Sequence, residues 1–74
     1  MNAKVRKEIA KHIDSLNDIK DSLESIKDDE EEKYDNMPEG LQDSERGEQM
    51  QEAIDSIDNA ACSIEDAIVY LENC

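Results

Sequence analysis

The sequence predicts an all-α fold: an antiparallel two-helix hairpin of coiled-coil type, forming one domain over residues 1–74. Three observations predict it. Two long stretches carry apolar residues at alternating spacings of three and four, the seam of a coiled coil. One short segment between them holds the only proline and one of the two glycines. The 74 residues allow a single small domain, since domains usually run to roughly 100–150.

The first helix is expected from about residue 3 to 36. With Ile9, Leu16 and Leu23 at heptad position a, Val5, Ile19 and Ile26 fall at d, and Ile13 lies beside the stripe. His12, the only histidine, takes another d position, where a core or boundary role is expected. A local repeat supports this register, residues 14–20 (DSLNDIK) being echoed by 21–27 (DSLESIK). The seam breaks at Glu30 and Lys33, the next a and d positions, and Tyr34 and Met37 take over as the apolar residues near the turn.

Residues 37–43 read as the linker. Pro38 disfavours helix at Met37, and Gly40 offers a left-handed backbone for closing the turn. Ser44 is a good N-cap, and Glu45 and Glu48 then lie near the positive end of the next helix. So short a connection makes the helices antiparallel neighbours.

The second helix, about 44–73, has the cleaner repeat, three heptads at 53–59, 60–66 and 67–73. Ile54, Ala61 and Ile68 form one column and Met50, Ile57, Ile64 and Leu71 another. Ala53, Ala60 and Ala67 make a third, where small side chains let a neighbouring helix approach closely. Cys62 and Val69, one heptad apart, form with Tyr70 a second apolar strip outside the seam. A lone hairpin buries each helix on one side only, which is thin for a small chain. The expectation is a homodimer forming a four-helix bundle, or docking of the Cys62, Val69 and Tyr70 strip on a partner. Cys62 and Cys74 would stand about 18 Å apart on one helix, beyond disulfide reach. They are expected as reduced thiols, with a bridge between subunits left open at Cys74.

Charge narrows the function. The chain holds 21 acidic and 8 basic residues, a net −13, with two tyrosines as its only aromatics. An acidic surface argues against direct binding of nucleic acid or anionic lipid, and so few aromatics argue against an enclosed, mostly apolar enzyme pocket. No apolar run approaches the ~20 residues of a membrane span. The basic start at Lys4, Arg6 and Lys7 leads into an amphipathic stretch, unlike a signal peptide, so a cytoplasmic location is expected. Residues 1–13 carry +3 and the remainder −16. In an antiparallel hairpin the basic start is expected beside Glu65, Asp66 and Glu72.

Asp28, Asp29, Glu30, Glu31 and Glu32 crowd five acids near the negative end of the first helix, where the macrodipole disfavours them. Either they form a solvated face or, with Glu48, Glu52 and Asp55, they meet a cationic partner. A calcium loop from Asp35 is rejected, because Met37 and Arg46 stand where an EF-hand needs ligands. One histidine without ligand spacing gives no zinc site, and no glycine-rich phosphate loop occurs. No cofactor, no metal and no catalytic residue is expected.

At the linker, the residues DNMPEGLQ (35–42) and SERGE (44–48), together with the acidic stretch 28–34, resemble a group of small acidic helical proteins of bacterial phages and prophages. The likeness covers about 28–73, and the linker is its specific part. That group has no agreed activity, so no functional residue is carried over. The resemblance implies an accessory, non-catalytic protein acting in a bacterial host cytoplasm. The expected function is binding and inhibition of a host protein with a basic surface, such as a defence nuclease or a nucleic-acid-binding protein, through mimicry of nucleic acid. The alternatives are a self-associating assembly protein, or an oligomer that sequesters a small nucleotide through Lys4, Arg6, Lys7 and Lys11.

Overall fold

A computed structural model describes residues 2–74. Three helices follow in order: α1 (Ala3–Asp35), α2 (Glu39–Gln42) and α3 (Glu45–Glu72). The Asn2 side chain caps α1 by accepting from the Val5 amide at 2.9 Å. At its far end the Asn36 amide donates to the carbonyls of Glu32 and Tyr34. Ser44 caps α3, accepting from the Gly47 amide at 3.4 Å, and Glu45 and Glu48 occupy the first turn as expected. Asn73 closes α3 by donating its side-chain amide to the Val69 carbonyl at 2.9 Å.

The linker departs from expectation. Residues 37–43 are not free of helix: Leu41 and Gln42 both donate their amides to the Pro38 carbonyl, at 2.9 and 3.1 Å, and wind the single turn α2. Proline favours this, since a missing donor and a preset φ cost nothing at a helix start. Gly40 sits inside that turn without a positive φ, so no left-handed residue closes the hairpin. The reversal is shared between bends on either side of α2, and Gln42 ties it down by donating its side-chain amide to the Tyr34 carbonyl at 2.8 Å. The glycine that the fold needs is Gly47. A Cβ there would stand 2.1 Å from the Gln42 carbonyl oxygen and 2.6 Å from its carbon.

α1 and α3 pack antiparallel along a rod of 58 × 15 × 12 Å. Its radius of gyration is 17.0 Å, against roughly 11 Å for a compact domain of this length. Two ion pairs fix the register: Lys20 to Glu65 at 2.6 Å and Lys27 to Asp58 at 3.0 Å. One further heptad brings Ile13 level with Glu72, so the start of α1 projects beyond α3. The basic start therefore does not lie along Glu65 and Asp66, and only its Arg6 comes near Glu72, across a cleft at the open end. Lys20 takes Glu65, and among the described residues Lys4, Lys7 and Lys11 form no ion pair.

The core is one column of α3, where Ile54, Ala61 and Ile68 are 3–6% exposed. No residue of α1 is buried. Facing that column, α1 presents Ile9, Leu16 and Leu23 from one edge and Ile13, Lys20, Lys27 and Tyr34 from the next, all half-buried. This corrects the expected seam. The d column lies outside the packed face: Ile19 and Ile26 are each 50% exposed, and Val5 and His12 are exposed as well. α1 is instead rotated toward the Ile13, Lys20 and Lys27 edge, where the two lysines pair with Glu65 and Asp58. The lysine stems supply the apolar cover that Ile13 begins, and Lys20 shares a shallow cleft with Ala61.

Candidate functional site

In an antiparallel pair, matching edges of the two helices face the same flank. The edge of α1 with Lys20 and Lys27 and the edge of α3 with Asp58 and Glu65 make one flank of the rod. The opposite flank collects the exposed Ile19 and Ile26 of α1, the half-buried Ile57 and Ile64 of α3, and the exposed Ala53 and Ala60. One flank is ionic and the other apolar.

On the ionic flank, hydrogen bonding to Glu65 holds the Lys20 ammonium above the ordinary lysine value of 10.5. Hydrogen bonding to Asp58 does the same for Lys27. Both positive charges are thereby occupied inside the hairpin. Lys33 pairs with Glu30 at 3.2 Å. Outside these pairs, the helical repeat sets Glu24 and Glu31 along the outer edge of α1, and Glu48 and Asp55 along that of α3. All four are exposed.

The eight expected partner-binding acids are thus only partly brought together. Glu31, Glu48 and Asp55 share the ionic flank. Asp28, Glu32 and Glu52 point away from the helix pair, and Asp29 falls on the edge leading to the apolar flank. Glu30 is half-buried in the seam, where Lys33 neutralises it. A run of five acids on a helix sweeps more than a full turn, so it forms a collar and not a face.

Cys62, Val69 and Tyr70 are all exposed, but they do not form one strip. Cys62 and Val69 lie on the ionic side of α3, where Cys62 borders a cleft with Lys20, Glu24 and Glu65. Tyr70 falls in the column of Ser56 and Ser63, beyond the alanines of the apolar flank. Two features escaped the sequence reading. The ion pairs had a signal, since Lys20 and Lys27 stand seven residues apart and so do Asp58 and Glu65. The overhang of α1 had one in the unequal helix lengths.

A cleft of about 460 Å³ lies at the open end between Arg6, Ile9, Ile13, Leu71 and Glu72. A second, of about 370 Å³, lies by the turn between Lys33, Met37, Leu41, Arg46 and Met50. Among the described residues no group of three His, Cys, Asp or Glu side chains converges as metal ligands. No helix among them is long and apolar enough to cross a membrane. Compared with known proteins, the chain matches no family model, no curated protein and no solved structure.

Proposed function

We propose that the chain is a non-enzymatic acidic interaction protein, working as a homodimeric four-helix bundle, that binds and inhibits a host protein with a basic surface. The observation that carries this is the disposition of charge. Lys20, Lys27 and Lys33 are taken up by ion pairs within the hairpin, while Glu24, Glu31, Glu48 and Asp55 stand exposed along both helices of one flank. Carboxylates one heptad apart on a helix are about 10 Å from each other. Two such rows on a rigid rod offer a cationic groove a ladder of negative charge in place of phosphates. Long-range attraction from a −13 charge speeds encounter and makes binding sensitive to salt. The phage association and the bacterial cytoplasm rest on the linker resemblance alone.

Immobilised protein exposed to bacterial lysate at low and high salt tests the reading. Captured proteins should have a basic groove, leave at high salt, and be displaced by added nucleic acid. Capture indifferent to salt contradicts it. A second reading, an assembly protein without inhibitory role, is favoured by the exposed Ile19 and Ile26. It requires partner binding that salt does not weaken.

A further inference from the structure

We propose that the apolar flank, centred on Ile19, Ile26, Ile57 and Ile64, is covered by a second copy of this chain lying head to tail. This rests on the bundle proposed above and adds its face and its orientation. Charged residues make up 39% of the chain, yet the middle of this flank carries none. Its rim is Ser15 and Ser22 on α1 and, beyond the alanine column of α3, Ser56 and Ser63.

Three quantities point to a second copy as the occupant. The first is area. The chain exposes 5572 Å², whereas a compact monomer of its mass exposes about 4,600 Å². The surplus of roughly 1,000 Å² is close to the ~800 Å² that each partner contributes to a stable interface. The second is charge. A cationic partner gains most from the acidic faces, whereas two copies each carrying −13 repel least where the surface is uncharged. The third is shape. Isoleucines on α1 and alanines on α3 repeat at the same seven-residue spacing, so a two-fold rotation lays the ridge of one copy on the shallow column of the other.

Orientation follows from the ends. The start of α1, with +3 over residues 1–13, overhangs at the open end, and the acids of 28–32 lie toward the turn. Head-to-tail pairing sets one beside the other. Pairing with like ends together stacks two acidic runs and two basic starts.

The test uses sedimentation, together with distance measurement between labels on the native Cys74 in a Cys62→Ser background. The expected result is a dimer whose labels are on the order of 40 Å apart, short of the rod's 58 Å length because α1 overhangs Cys74. Ile19→Glu and Ala60→Glu, at exposed positions, should each weaken the dimer by at least about tenfold, and Val69→Glu, exposed on the ionic flank, should not. Should a variant lose its helix, wild-type melting decides: a midpoint that rises with concentration supports the dimer, and a constant one overturns it. A wild-type monomer at every concentration overturns both the bundle and this face, leaving the flank for a different protein. A dimer indifferent to Ile19→Glu and Ala60→Glu, or one broken by Val69→Glu, keeps the bundle and overturns the face. Labels in contact overturn the orientation.

Discussion

Gly47 shows how a single position can depend on the chain passing over it. Its missing side chain lets the end of α2 cross the first turn of α3, and a Cβ would meet backbone atoms that cannot swing aside. Gly47→Ala should destabilise the hairpin by about 1–3 kcal/mol in urea unfolding, the usual range for overpacking. Gly40→Ala is the contrast: open space surrounds that site and its backbone is helical. The alanine should stabilise by about 0.4–1 kcal/mol. Unchanged stability in Gly47→Ala would contradict the close approach. The turn was legible in the sequence as a proline–glycine break, but the role fell on the wrong glycine. Gly40 carries a local signal, whereas the demand on Gly47 exists only once residues 41 and 42 are folded above it. Ser44 was legible because a cap is local, and Ser44→Ala should cost about 1 kcal/mol.

At the level of the helices, α3 was read correctly and α1 only in part. The α3 stripe has two adjoining apolar columns, bounded by alanine on one edge and acids on the other, so its buried face is unambiguous. α1 has apolar residues on three neighbouring columns, more than one partner helix can cover. Periodicity defines such a stripe without saying which edge is used. The edge used is the one that pairs Lys20 and Lys27 with Glu65 and Asp58, and Ile19 and Ile26 on the other edge stay half-exposed. Because these lysines are raised above 10.5 in the folded state, their pairing contributes fully below that value and is lost as pH rises through the raised one. Melting temperature should therefore show an alkaline decline beginning above pH 10.5 that is reduced in a Lys20→Met, Lys27→Met double variant. An undiminished decline would show that the two ion pairs do not stabilise the hairpin. Ile54→Ala, in the buried column, should cost about 2–5 kcal/mol.

The whole molecule is a thin rod with two unlike flanks. Its acidity was plain from composition, but the arrangement of the acids was not, because neighbours along a helix point in different directions. Only folding shows that Glu31, Glu48 and Asp55 share a side while Asp29 and Glu30 leave it. We propose different work for the two flanks: acids for a cationic partner, isoleucines for a second copy. Salt separates them, because screening weakens attraction to a cation and also relieves repulsion between two chains of −13. The most direct measurement is sedimentation equilibrium of the wild-type chain at low and high salt. The expected mass is above the 8.4 kDa of one chain, with a dimer fraction that grows as salt is added. A dimer that dissociates on adding salt would mean that charge joins the copies, and would contradict the division between the flanks.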